Sequence, residues 1–137
     1  MLKSSKINGA ANCTMTDQIY FFDSYAIIEL IQGKESYKKY AEAVVVTTKL
    51  NLFEVYQTIF QTVSEDQADD FLEKYYSLAV DYDKLIIKEA AVMRLKYKKR
   101  NISLVDCIGY CLARKLGIPF LTGDKEFEQF ENVEFAK

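Results

Sequence analysis

The sequence predicts an α/β fold with a mostly parallel central sheet and helices on both of its faces. Two observations carry that expectation. Short apolar runs alternate along the chain with longer stretches whose apolar residues recur at helical spacing, the order of elements found in βαβ units. The 137 residues are 50% apolar and include only 5 Gly and 1 Pro, so they suffice for the core of one domain and leave little for a linker.

Residues 1–17 are small and polar and show no period. They read as an N-terminal extension, either an over-long start or an arm that docks on the body or a partner, with the domain proper spanning 18–137. Ile19–Phe22 is a short apolar run, read as a buried strand. It ends at Asp23-Ser24, a pair suited to a helix N-terminus, and a helix follows through Ile27, Ile28 and Ile31 to Gly33. A second helical piece, 37–43, leads into the β-branched run 44–48, the clearest strand in the chain. From about Asn51 a helix carries Leu52, Phe53, Tyr56, Ile59, Phe60 and Val63. Ser64-Glu65-Asp66-Gln67 has the form of a capping box and opens a helix with Ala68, Phe71, Leu72 and Tyr75. A brief strand is expected over 78–82. Asp83 caps a helix through Ile86, Ile87, Ala90, Ala91 and Leu95 that ends in a basic run. Ser103-Leu104-Val105-Asp106 is another capping pattern; its helix closes at Gly117, with Pro119 just beyond. A strand at 118–121, a short helix opened by Asp124 and a last strand at 133–135 complete the chain.

The most informative count is zero histidines. It removes His-based acid–base catalysis, Ser-His and Cys-His nucleophile pairs, and zinc sites with a His ligand. Three cysteines, Cys13, Cys107 and Cys111, are an odd number for a disulfide framework and read as ordinary thiols in a reducing cytoplasmic setting. No apolar run approaches a membrane span, and the N-terminus lacks the apolar core of a signal peptide. With a net charge of −2, any contact with nucleic acid has to come from a local basic patch.

In an open α/β sheet, ligands bind beyond the carboxyl ends of the strands. Asp23 stands after the first strand, Glu54 in the helix after the second, Asp124 after the strand that precedes it, and Asp106 near the start of its own helix. Each alone has a local explanation, as an N-cap, as half of a capping box or, for Glu54 beside Asn51, Thr58 and Gln61, as part of a solvated face. Together they make an oxygen-only donor set, which suits Mg²⁺ or Mn²⁺ and hydrolysis that needs no histidine.

The same residues carry a resemblance. Tyr20-Phe21-Phe22-Asp23-Ser24, then Asn51-Leu52-Phe53-Glu54-Val55, then Ser103-Leu104-Val105-Asp106 and Phe120-Leu121-Thr122-Gly123-Asp124 resemble, in order and spacing, the PIN domain, in particular the single-domain toxins of prokaryotic toxin–antitoxin pairs. The resemblance covers about residues 18–137. It implies a three-layer α/β/α sandwich and a Mg²⁺- or Mn²⁺-dependent endoribonuclease. It further implies that Asp23, Glu54, Asp106 and Asp124 are the catalytic, metal-binding residues, with Ser24 and Thr122 as supporting hydroxyls. A small antitoxin and a homodimer are the partners it implies. The chain departs from the usual family pattern in placing bulky Tyr25 after Ser24 and in its N-terminal extension.

RNA approaching an acidic pocket needs a basic rim. Arg94, Lys96, Lys98, Lys99 and Arg100 form the dense basic run, with Tyr97 for stacking, and Lys34, Lys38 and Lys39 form a second cluster; a solvated helix end explains the first run equally well. Three other readings stand beside the toxin: a PIN nuclease of RNA processing or decay without an antitoxin, a Mg²⁺-binding receiver-like domain, and a non-catalytic RNA-binding module. The receiver-like reading expects a phosphoacceptor Asp at the end of a middle strand, where this chain has Thr47-Thr48.

Overall fold

The structure is a computed structural model that describes residues 18–137. The extension 1–17, with Cys13, lies outside the described residues. Four strands form one parallel sheet in the order β2-β1-β3-β4: β1 is Ile19–Phe22, β2 Val44–Val46, β3 Phe120–Thr122 and β4 Val133–Phe135. The helices are α1 (Ser24–Ile31), α2 (Lys49–Thr62), α3 (Glu65–Tyr75), α4 (Lys84–Lys96) and α5 (Leu104–Leu116).

Strand alternation divides the core. In β1 Tyr20 and Phe22 point to one face, where they pack with Ala26, Ile27, Leu52, Val55 and Phe71 of α1, α2 and α3. Phe21 points to the other, where it meets Ile86, Ala90, Cys107 and Leu112 of α4 and α5. Phe120 and Leu121 of β3 repeat the division. Central strands covered on both faces read as unbroken apolar runs, which is why Ile19–Phe22 was visible in the sequence. The result is the expected three-layer sandwich, α1, α2 and α3 on one side and α4 and α5 on the other. Gly109 sits where α5 crosses β1: an added Cβ would lie 2.8 Å from the Phe21 ring.

The helix starts follow the polar caps. Asp23, Thr48, Ser64, Asp83 and Ser103 each accept a backbone N–H of the helix they open. Ser103 and Asp106 form the full reciprocal box, whereas Ser64 bonds the N–H of Gln67. Gly117 ends α5 with φ 73°, a left-handed conformation that glycine adopts without strain.

Two elements differ from the sequence reading. The second helical piece is a 3₁₀ helix at Glu35–Tyr40, pulled inward by buried Tyr37 and Tyr40. The strand expected over 78–82 reduces to a single parallel bridge, Thr47 to Ala79, because a 3₁₀ turn at Tyr76–Leu78 leaves β2 only one residue to pair with. Among the described residues no helix is long and apolar enough to cross a membrane. Cys107 and Cys111 are buried free thiols, and burial pushes the Cys107 thiol up to about 11, away from reactivity.

Candidate active site

The sheet order makes β1 and β3 neighbours whose following segments turn to opposite faces. After β1 the chain enters α1; after β3 it enters a 3₁₀ turn at Lys125–Phe127, whose Phe127 packs in the α4–α5 core. Such a divergence opens a crevice at the carboxyl edge of a parallel sheet. Asp23 stands on one lip as the N-cap of α1 and Asp124 on the other as the N-cap of the 3₁₀ turn. Asp106, at the third position of α5, comes to the same edge because α5 runs antiparallel to the strand that it feeds.

Asp23 is 3% exposed. Its Oδ1 accepts the Ala26 N–H at 2.8 Å, and the Thr122 hydroxyl donates to the carboxylate as well. Burial first, and then the charges of Asp106 and Asp124, nevertheless raise its pKa to about 8 against the lowering effect of those hydrogen bonds. Asp106 is raised in turn, by burial first and then by the charges of Asp124 and Glu54; its bonds with Ser103 oppose the rise. The four carboxylates are thus coupled in one electrostatic neighbourhood.

Hydroxyls hold this neighbourhood in place. Thr122 is fully buried, and its Oγ1 accepts the Asp124 N–H at 3.0 Å while serving Asp23, so it ties the two lips together. On the other side a relay runs from α2 to α1. Thr48 donates to Asn51 Oδ1 at 2.6 Å, Asn51 Nδ2 donates to Ser24 Oγ at 3.0 Å, and Ser24 donates to Glu54 Oε1 at 2.6 Å.

Asn51 and Thr48 are the members that the sequence reading missed. Asn51 belongs to no solvated face; it is 1% exposed and its amide links Thr48 to Ser24. The cue available in the sequence was Thr48-x-x-Asn51, an N-cap spacing that starts the helix at Lys49, two residues ahead of the start read at Asn51.

The donor set fits a hard divalent ion: four carboxylates, no nitrogen or sulfur, and one oxygen of each already fixed by a protein donor. Among the described residues no three Asp, Glu or Cys side chains close into a metal-gripping group. The acids are neighbours in charge rather than a finished cage.

The basic run divides. Arg94 and Lys96 end α4, while Lys98, Lys99 and Arg100 follow it. Arg100 is a tie within the fold: its Nη1 donates to the Glu126 carbonyl at 2.6 Å, and its guanidinium lies 5.1 Å from the Phe130 ring centroid. In the second cluster, Lys34 pairs with Glu29 and Lys38 with Glu35.

A family model described as PIN domain matches residues 20–133. No relative is found among curated proteins. Among solved structures, a Sarcin-Ricin loop cleaving toxin, VapC20 of Mycobacterium tuberculosis, superposes with a TM-score of 0.70 at 19% identity, covering 86% of this chain and 99% of that one. A toxin–antitoxin complex from Klebsiella pneumoniae gives 0.66 at 19% identity, covering 84% and 95%. VapBC-1 of nontypeable Haemophilus influenzae gives 0.65 at 19%, covering 86% and 96%. At these identities the likeness is one of fold.

Proposed function

The chain belongs to the PIN domain family, and on that premise we propose that it is a divalent-metal-dependent endoribonuclease, the toxin of a toxin–antitoxin pair. The observation that carries this reading is the electrostatic coupling of Asp23, Asp106, Asp124 and Glu54 at the carboxyl edge of the sheet. Mutual repulsion among buried carboxylates is relieved by a bound cation.

Asp23, Asp106 and Asp124 would hold the ion, with Glu54 orienting water or binding a second one. When bound, Mg²⁺ or Mn²⁺ supplies Lewis acidity toward a phosphoryl oxygen and toward water. The protein contributes orientation. Thr122 fixes Asp23 against Asp124, and the Thr48–Asn51–Ser24 relay aims Glu54. In-line attack on the scissile phosphate would leave a 5′-phosphate and a 3′-hydroxyl. The test compares Mn²⁺-dependent cleavage of RNA by wild type and Asp106→Asn; loss of at least about 100-fold is expected, the scale of removing a principal electrostatic group, and equal rates would sink the assignment.

Ser24→Ala probes the relay. It frees Glu54 and leaves the buried Asn51 amide without its acceptor, a cost of about 1–3 kcal/mol. Thermal unfolding should register that loss, and cleavage should fall about tenfold through a looser Glu54.

Two surfaces support protein partners. A groove of about 590 Å³ between α1, α2 and α3 has apolar walls, Ile28, Ile59 and Phe71 among them, with Lys34, Lys38 and Lys74 at its margin. It fits an acidic amphipathic segment of an antitoxin. Phe53 and Phe60 of α2 are 63 and 47% exposed and, seven residues apart, share one helix face, which fits a homodimer. The toxin reading is separated from a nuclease of RNA processing by whether a short reading frame for a DNA-binding antitoxin adjoins the gene.

A further inference from the structure

On the face opposite the antitoxin groove, a cleft of about 740 Å³ runs between α4, α5 and residues 129–131. Four cations line it, Lys88 and Lys96 from α4, Arg100 beyond it and Arg114 from α5, against two acids, Glu89 and Glu131. Lys88 and Lys96 fall on one side of α4, eight residues apart, which is a little over two turns. Arg94, Lys98 and Lys99 are exposed and are not among the lining residues.

The two guanidiniums are held before any ligand arrives. Arg100 is fixed by the Glu126 carbonyl and by the Tyr97 and Phe130 rings, 5.7 and 5.1 Å from its centre. Arg114 lies 5.5 Å from the ring centroid of buried Tyr110 and donates to its hydroxyl, which itself donates to the Glu131 carbonyl at 2.6 Å. Arg100 also faces the Glu126 carboxylate at 4.0 Å, and Arg114 feels the Glu89 charge, but with five N–H donors each guanidinium keeps donors for a planar, multi-oxygen anion.

The cleft also adjoins the acidic crevice. Arg100 grips the carbonyl of Glu126, whose own N–H donates to Asp124 Oδ1 at 2.9 Å. Glu126 thus links the Arg100 end of the cleft to the Asp124 lip of the crevice.

We propose that this cleft is a phosphate-tracking channel for single-stranded RNA flanking the cleaved bond, with Lys88, Lys96, Arg100 and Arg114 as its contacts. The inference rests on the nuclease reading for its substrate. The four cations stand exposed along a concave cleft rather than on a flat face, a shape that a flexible single strand can follow. Because the contacts are to phosphates, the channel itself is indifferent to base sequence.

The experiment measures binding of a fluorescein-labelled oligouridylate in EDTA across a salt series. Lys88→Glu/Lys96→Glu is compared with Lys98→Glu/Lys99→Glu, which changes net charge by the same amount outside the cleft; all four side chains are exposed, so folding is spared. The cleft variant should bind about tenfold more weakly at low salt, and its salt slope should fall by about 1.4, two contacts at about 0.7 each for a single strand. The outer variant should change less on both measures. Equal weakening by the two variants, or an unchanged cleft variant, overturns the channel. A parallel assay of cleavage with Mn²⁺ by wild type and Asp23→Asn reads the nuclease separately: RNA held in the cleft but cut by neither protein, or equally by both, overturns the nuclease and leaves the channel. A wild-type protein that binds no RNA overturns both.

Discussion

Asp23→Asn is expected to abolish RNA cleavage and, in the same variant, to stabilise the metal-free protein above pH 8. The two effects have one cause. Asp23 is buried, and its pKa stands at about 8, against an ordinary 3.8. The folded state therefore binds this proton more tightly than the unfolded chain does. Stability falls as pH rises between those two values, and the full penalty is present above pH 8. At 1.36 kcal/mol per unit, the gap of about 4 units sets a ceiling on the order of 5 kcal/mol for that penalty.

Asparagine keeps the N-cap bond to Ala26, since its carbonyl accepts as the carboxylate does, and it removes the buried charge. Calorimetric unfolding in EDTA should show the variant more stable than wild type at pH 9, by several degrees, with the difference vanishing near pH 4. A variant less stable than wild type at pH 9 would mean that the buried charge is not the dominant strain. A cation offsets the same penalty in wild type, so Mn²⁺ affinity should tighten as pH rises toward 8. The variant should lose most of that pH dependence, along with the activity.

This trade explains how much of the site was legible in the sequence. Asp23, Asp106 and Asp124 each end a strand or open a helix, so capping pattern and strand pattern located them independently, and the parallel order of elements brought them to one edge. The coupling between them was not legible, because a capping aspartate looks the same whether its neighbour is water or another carboxylate. Asn51 was misplaced for a similar reason: helical periodicity puts it beside Glu54, but only the tertiary contact of α2 with α1 buries it. The strand expected over 78–82 shows the opposite failure. Its residues have the composition of a strand, yet a 3₁₀ turn consumes Tyr76–Leu78 and Thr48 turns the chain into α2, so Ala79 meets β2's edge only at Thr47. The cleft of α4 and α5 was half visible, in the run from Arg94 to Arg100. Lys88 and Arg114 were invisible as partners of that run, because they join it only when two helices from different parts of the chain pack together.

Gly123→Ala is expected to cost about 1–3 kcal/mol, the usual range for overpacking, and to depress cleavage far beyond what that loss explains. An added Cβ would stand 2.4 Å from Tyr25 Cε1, 2.7 Å from the Ala136 carbonyl oxygen and 2.9 Å from the Tyr37 hydroxyl. Tyr25 is 38% exposed and can swing away. The other two cannot: Ala136 N–H donates to the Thr122 carbonyl at 2.9 Å, and the Ala136 carbonyl accepts from the Tyr37 hydroxyl at 2.9 Å with Tyr37 wholly buried. The segment 122–124 must lift instead. That motion strains the bond from Asp124 N–H to Thr122 Oγ1 and draws the Thr122 hydroxyl away from Asp23, so two of the four carboxylates lose their alignment at once. Gly117→Ala is the matched control. It forces a φ of 73° on an L-residue with nothing within 4 Å of the new Cβ, a strain of about 1–2 kcal/mol remote from the carboxylates. Both variants should unfold at lower temperature than wild type, but only Gly123→Ala should lose Mn²⁺ binding by titration calorimetry. Equal Mn²⁺ affinity in the two would show that the carboxylates hold their geometry without the close-packed turn after β3.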